Sequence, residues 1–146
     1  MIYTGGHDGT LFAWSFETGT CKYSLHLYDD TCTSNNHIKE SKSVDQLLIL
    51  EVREMLVSVT PDQYLRFWDL KDGKAPTMKF HCRHPIDDHL TAIAFSMDND
   101  TMVTCDTSGQ LKMWDITDVK LDDQSTSKFF IEKYFIIAHR AMINTV

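Results

Sequence analysis

The chain has 146 residues, the size of one domain, and its hydrophobic share of 42% is typical of a globular protein. A net charge of −7 argues against nucleic acid as the main partner and against an anionic membrane surface, because phosphate groups require a basic face. The N-terminal residues predict no signal peptide, and the longest apolar runs are too short to span a bilayer. The four cysteines form no Cys-x-x-Cys pair, which predicts reduced thiols in a cytosolic protein.

Short strands separated by turns are predicted along the chain, in units of up to four. The first unit, residues 1–28, begins inside what should be its second strand. The second unit, 44–82, has predicted strands at 44–50, 55–60, 64–69 and 77–82. The third unit, 90–137, has predicted strands at 90–96, 101–105, 110–116 and 128–137. Residues 138–146 are predicted to form the first strand of a fourth unit.

Two polar stretches interrupt this pattern, and sustained helical periodicity is absent. Residues 29–43 are predicted to be a polar insertion loop, and residues 117–127 a second exposed loop. Because a strand follows each stretch directly, neither is expected to be a linker between domains.

Three segments of the chain align with one another without a gap. They are residues 2–15, 56–69 and 102–115. Each carries a tryptophan and, ten residues before it, a hydroxyl: Trp14 with Thr4, Trp68 with Ser58, and Trp114 with Thr104. A repeat of roughly 40–50 residues indicates an array of similar small units, which presents surface rather than a single cleft.

The order of strand, Ser or Thr, tight turn with Asp, strand and Trp-Asp resembles the WD-repeat family. The resemblance covers the chain except for its two polar stretches. It implies an all-β fold, a partial β-propeller of four-stranded antiparallel blades, with two blades complete and two partial. A closed propeller has at least about four blades. The chain is therefore expected to be a segment of a longer protein, or to be completed by a partner chain.

The resemblance also implies a buried hydrogen-bonded set in each blade, formed by Trp, Ser or Thr, a turn Asp and a His. The matching positions are Thr4, Asp8 and Trp14; Ser58, Asp62, Trp68 and Asp69; Thr104, Trp114 and Asp115; and His139 before the fourth unit. Ser108 holds the Asp position of the third unit, where Asp106 could compensate. His89 lies closer to its strand than the motif requires. We therefore expect no unit to contain the complete set.

Other chemistry has weaker support in the sequence. His81, Cys82, His84 and His89 could hold a metal, or they could simply form a His-rich connection between blades, since their spacing matches no recurring zinc pattern. A nucleophilic Cys–His pair could be formed by Cys82 with His84 or by Cys105 with His7. Nothing in the sequence beyond the presence of these residues supports either pair. We predict no catalytic residue, no cofactor and no metal.

Recognition is expected at the loops of one rim and face. These are residues 29–43, residues 83–89, and the turns near Asp8, Asp62 and Ser108. Their acidic to neutral character favours a basic or mixed protein partner over nucleic acid. The predicted function is a non-catalytic scaffold that binds other proteins.

A narrower resemblance concerns location. The polar loop after the third Trp-Asp, followed by an apolar strand running into residues 138–146, is similar to large WD-repeat proteins of cilia and flagella. That implies an axonemal scaffold, although no EF-hand loop is present in the sequence. The alternative is a substrate-recognition or regulatory propeller module within a larger cytosolic enzyme complex.

Overall fold

A computed structural model describes residues 1–27, 43–71, 75–85 and 88–146. Within these residues the chain forms eleven strands and one short 3-10 helix. The strands are β1 Ile2–Gly5, β2 Thr10–Trp14, β3 Cys21–His26, β4 Gln46–Leu50, β5 Met55–Val59, β6 Tyr64–Asp69, β7 Met78–His81, β8 Leu90–Phe95, β9 Thr101–Asp106, β10 Gln110–Asp115 and β11 Ile131–Ile137, and the helix is Gln124–Phe129. The polar insertion predicted at 29–43 lies outside the described residues, apart from Ser43. No described helix is long and apolar enough to cross a bilayer.

The strands form three antiparallel sheets in which chain neighbours pair. The first blade is β1-β2-β3, the second is β4-β5-β6-β7, and the third is β8-β9-β10-β11. Bulges interrupt the register near Trp14 and Trp114. The predicted all-β fold of three- and four-stranded antiparallel units is thereby confirmed.

The blades pack face to face, and each buried tryptophan faces the blade before it. Trp68 joins a cluster with Leu11 and Leu25 of the first blade. Trp114 meets Phe80 of the second blade edge to face, with ring centroids 5.1 Å apart. In β6, alternate side chains therefore serve two interfaces, which explains why residues on both faces of this strand are buried.

The stretch 117–127 is not the exposed loop that its polarity suggested. Val119 and Leu121 are buried in the core shared by the second and third blades. Just beyond the stretch, Phe130 stacks on Phe80 at 3.8 Å. From the second blade, Arg53 Nη1 donates to the Val119 carbonyl at 2.6 Å. A few apolar residues spaced along a polar stretch are therefore enough to pack it against the neighbouring blade.

The strand predicted at 138–146 is absent, because these residues join no ladder. Instead, the N–H groups of Ala138 and His139 donate to the Gly109 carbonyl at 3.0 and 3.2 Å. Ile143 is buried against Ala92 and Cys105 of the third blade. Two hydrogen bonds to the turn and the burial of Ile143 position this segment in place of strand pairing.

Candidate functional site

One rim of the three sheets is built from tight turns of the same geometry. Each turn has one residue with positive φ, namely Gly9 at 77°, Gln63 at 61° and Gly109 at 85°. The carbonyl of that residue accepts the N–H of the residue after the outer strand, Leu27 at 3.1 Å, Cys82 at 3.1 Å and Ala138 at 3.0 Å. The repeat therefore ties each turn to the end of its own outer strand.

A second hydrogen bond is repeated in all three turns, in which an aspartate carboxylate accepts a backbone N–H. Asp8 Oδ1 accepts the N–H of Thr10 at 2.9 Å, and Asp62 Oδ1 accepts the aligned N–H of Tyr64 at 3.0 Å. In the third blade the aligned amide is that of Gln110, and it donates to Asp106 Oδ1 at 2.8 Å. Asp106 thus takes the structural role of the turn Asp from two residues upstream of Ser108.

The third blade contains a continuous buried chain of four polar side chains. The Trp114 indole N–H donates to Thr104 Oγ1 at 3.0 Å. Thr104 Oγ1 lies 2.9 Å from His84 Nε2, and His84 Nδ1 lies 2.7 Å from Asp106 Oδ2. The side chains of His84 and Asp106 are fully buried. This chain joins the strand β10 to the connection between the second and third blades.

The charges of this network follow from its burial. Burial lowers the pKa of His84, although Asp106 opposes that effect. Burial alone would raise the pKa of Asp106, but hydrogen bonds from Gln110, Ser108 and His84 outweigh it and lower the pKa. A neutral His84 that donates from Nδ1 to Asp106 can accept the Thr104 hydroxyl at Nε2, so Thr104 remains an acceptor for Trp114.

The expectation that no unit would contain the complete set is therefore wrong for the third blade. The histidine of the set is His84, which the sequence places in a candidate metal cluster, and not His89 or His139. His89 and His139 are exposed. The signal that could have identified His84 is its place between two predicted strands, ahead of Thr104 and Trp114.

In the second blade, the turn carboxylate of Asp62 has a different side-chain partner from Asp106 in the third blade. Trp68 Nε1 donates to the buried Ser58 Oγ at 2.9 Å, as in the third blade. Asp62, however, is paired with Arg66, whose Nη2 lies 2.7 Å from Asp62 Oδ2, and it also accepts the Thr60 hydroxyl. Burial would raise the pKa of Asp62, but these bonds from Arg66 and Thr60 outweigh it and lower the pKa. An arginine thus binds the carboxylate that a histidine binds in the third blade.

The first blade has the same indole bond in a more open setting. Trp14 Nε1 donates to Thr4 Oγ1 at 2.9 Å, and Thr4 is exposed. Phe12 lies beside Trp14 with ring centroids 5.7 Å apart. This bond is therefore accessible to water, unlike the buried bonds of Trp68 and Trp114.

The aspartates that follow Trp68 and Trp114 cap the turns after their strands. Asp69 Oδ1 accepts the N–H of Lys71 at 2.7 Å, and Asp115 Oδ1 accepts the N–H of Thr117 at 3.0 Å. The bonds from Thr117 and a further bond from Lys133 lower the pKa of Asp115 to about 2. These two residues therefore serve local backbone geometry.

The metal and nucleophile hypotheses find no support in the geometry. No group of three potential ligands is assembled among the residues that the structure covers. His84 uses both ring nitrogens within the network. Cys82 is fully buried, which raises the pKa of its thiol and keeps it protonated.

The connection that carries His84 is fixed from both sides. Gln63 Nε2 donates to the carbonyls of Pro85 and Asp88, each at 2.8 Å. From the third blade, the Thr107 hydroxyl donates to Asp88 Oδ1 at 2.7 Å. Of the predicted recognition loop 83–89, residues 86–87 lie outside the described residues. The described residues of this loop are hydrogen-bonded to both neighbouring blades, next to the buried network.

Comparisons with known proteins agree with this architecture. Residues 79–115 match the family model described as WD domain, G-beta repeat. The chain is 26% identical over 122 residues to the RbAp48-related WD40 repeat-containing protein prw1 of Schizosaccharomyces pombe, a match over 79% of this chain and 26% of that protein.

Two solved structures are similar in fold. A crystal structure of the computationally designed Ika8 protein matches with a TM-score of 0.62 and 20% identity, over 98% of this chain and 35% of that one. A chain in a crystal structure of the Mitotic Checkpoint Complex matches with a TM-score of 0.66 and 14% identity, over 97% of this chain and 35% of that one. The chain thus spans about a quarter to a third of the length of these proteins. The fold is that of β-propeller blades, and the sequence matches support the WD-repeat family.

Proposed function

We propose that this chain is a non-catalytic protein-interaction scaffold, in which the rim turns and the described residues of the loop 83–89 present the recognition surface. The observation that carries the proposal is the buried chain from Trp114 to Asp106, which fixes the base of this rim. A preorganised surface loses less conformational entropy when a partner binds.

The charge of the chain sets the class of partner. With a net charge of −7, the protein attracts basic or mixed protein surfaces and repels the phosphates of nucleic acids and anionic lipids. The exposed rim side chains include His7, Asp8, Arg83, Ser108 and His89. Such mixed polar groups suit a hydrogen-bonded protein contact.

The cellular setting stays a prediction. We propose a cytoplasmic location at the axoneme of a cilium or flagellum, which rests on the resemblance of the polar loop and apolar strand that end the third unit. The alternative is a recognition or regulatory module in a cytosolic enzyme complex. Fluorescent tagging distinguishes a ciliary signal from a diffuse cytosolic one.

The rim assignment is tested by proximity labelling in cells with two rim variants, Arg83→Asp and His89→Ala. Lys22→Asp is the matched control, because Lys22 is exposed on the outer strand of the first blade. We expect labelled partners to be lost with the rim variants and kept with the control. Partners that are unaffected by both rim variants would contradict the proposal.

A further inference from the structure

The outer edge of β11 is an open strand edge. β11 is the last strand of the third blade, and within the described part of the chain it pairs only with β10. We propose that this edge accepts an extended segment of a partner protein, apolar at alternate residues and acidic at the end that lies beside His139 and Arg140. The proposal rests on the scaffold function, but it places a contact at a different surface from the rim.

The second blade shows what a closed outer edge looks like in this molecule. Lys79, in the middle of β7, donates its backbone N–H to Gln124 Oε1 at 2.6 Å. Gln124 Nε2 donates in turn to the Lys79 carbonyl at 3.0 Å. A side-chain amide thus reproduces a strand pairing at that edge. No described residue does the same for β11.

The sequence of β11 suits pairing with another strand. It has seven residues, all exposed, and its apolar members include Ile131, Phe135 and Ile137. Long apolar edges recruit a further strand unless charge or a bulge protects them. Here the two charges are already engaged within the blade, Glu132 with Lys112 at 3.2 Å and Lys133 with Asp115 at 3.1 Å.

The direction of the backbone groups identifies which residues would pair. The N–H of Ala138 points inward, since it donates to the Gly109 carbonyl of the same blade. Because successive residues of a strand point to opposite sides, the N–H of Ile137 points to the open edge. The next backbone N–H and carbonyl groups that point to the open edge are those of Phe135, two residues before Ile137.

Charge near the strand selects the partner. His139 and Arg140 lie two and three residues after the end of β11 and are exposed, as is Lys128 before the strand. A second copy paired antiparallel about Tyr134 would bring the end of its helix, with Lys128 and no carboxylate in residues 128–131, towards this basic end, so its charge is not complementary. A partner segment with acidic residues at the Arg140 end complements the charge and adds main-chain hydrogen bonds along the strand.

The test uses the full chain and a fluorescein-labelled peptide of alternating valine and threonine with two glutamates at its N-terminus. Binding is measured by fluorescence anisotropy. Ile137→Pro removes the outward N–H, and proline is tolerated at such an edge. Ile137→Thr is the matched control, because it keeps that N–H. We expect Ile137→Pro to weaken binding ~10-fold and Ile137→Thr to change it less than about threefold.

Peptide variants keep the test decisive if Ile137→Pro fails to fold. A peptide with N-methylated alternate residues should lose binding, and a peptide with lysines in place of the glutamates should bind ~10-fold more weakly. Equal binding of the glutamate and lysine peptides would overturn the proposal. So would a dimer in sedimentation that Ile137→Pro abolishes, since that identifies a second copy as the occupant. Neither outcome affects the rim variants, which test the scaffold function separately.

Discussion

His84 and Asp106 form a fully buried pair, with His84 Nδ1 and Asp106 Oδ2 2.7 Å apart. His84 comes from the connection between the second and third blades, whereas Asp106 ends β9 of the third blade. The pair therefore links a loop on the rim to the turn beneath it. Because Asp106 also accepts the N–H of Gln110, the same carboxylate serves the turn and the loop.

Replacing His84 should destabilise the fold strongly. His84→Ala leaves the Asp106 carboxylate and the Thr104 hydroxyl each without one buried partner. We expect a loss of about 2–4 kcal/mol in the free energy of unfolding, measured by urea denaturation. His89→Ala is the control, since that side chain is exposed and should cost no more than about 0.5 kcal/mol. Similar losses for the two variants would contradict the network.

Acidification should destabilise the protein in two steps. The pKa of His84 lies below its unfolded value of about 6.5, so the unfolded chain binds a proton that the folded chain does not. Stability therefore falls as the pH falls through 6.5 towards the folded pKa. The pKa of Asp106 is also lowered, so its contribution is present above about pH 4 and is lost below it.

The measurement is the urea midpoint at a series of pH values from 7.5 to 4. His84→Gln should reduce the slope between pH 6.5 and 5. His81, whose pKa burial also lowers, should retain part of that slope. An unchanged slope in His84→Gln would show that His84 does not carry the first step.

Substitution by phenylalanine should destabilise the fold more at Trp114 of the third blade than at Trp14 of the first blade. Trp114 is 2% exposed and its bond to Thr104 is buried, whereas the bond from Trp14 to Thr4 is exposed. Trp114→Phe should therefore cost about 2–3 kcal/mol, and Trp14→Phe less than about 1 kcal/mol. Denaturant midpoints of the two variants give the comparison. Equal costs would mean that burial does not set the strength of this bond.

The strands were predictable because local patterns determine them. The prediction for β6 is exact at 64–69, where turn residues flank a run rich in β-formers. The third-blade network was less predictable. Ser108 occupies the aligned turn position, yet a carboxylate two residues upstream reaches the same amide. Sequence alignment compares positions, whereas a hydrogen bond depends only on where the oxygen lies.

The packing of residues 117–130 against the second blade was not predictable from the sequence for a related reason. Val119 and Leu121 stand as isolated apolar residues in a polar stretch, with no period that predicts burial. They are buried because the neighbouring blade supplies the opposite wall of the core. A contact between blades leaves little trace in the local sequence of either one.

Gln124 should be required for the closed edge of the second blade. Gln124→Ala removes both bonds to Lys79, and we expect a loss of about 1–2 kcal/mol. Hydrogen exchange of the Lys79 amide should speed up more than that of other amides in the blade. Asp122→Ala, an exposed change two residues away, is the control. Unchanged exchange at Lys79 would contradict the amide pairing.

Two glycines with positive φ should differ sharply when each is changed to alanine. At Gly109, with φ of 85°, an added Cβ would lie 2.7 Å from the Ala141 carbonyl oxygen and closer still to that of His139. At Gly19, with φ of 66°, nothing lies within 4 Å of the added Cβ. Gly19→Ala should therefore cost only the backbone term of about 1 kcal/mol, and Gly109→Ala roughly 3 kcal/mol or more.

The aligned Gln63 shows that a side chain can occupy this turn position at a φ of 61°. The cost at Gly109 should thus come mainly from the segment 138–146, which crosses directly over it. Limited proteolysis checks this origin, because Gly109→Ala should detach the segment from the turn and increase cleavage around Ala141, while Gly19→Ala should not. If both variants lose the same stability and resist cleavage equally, the segment does not contact Gly109 in solution.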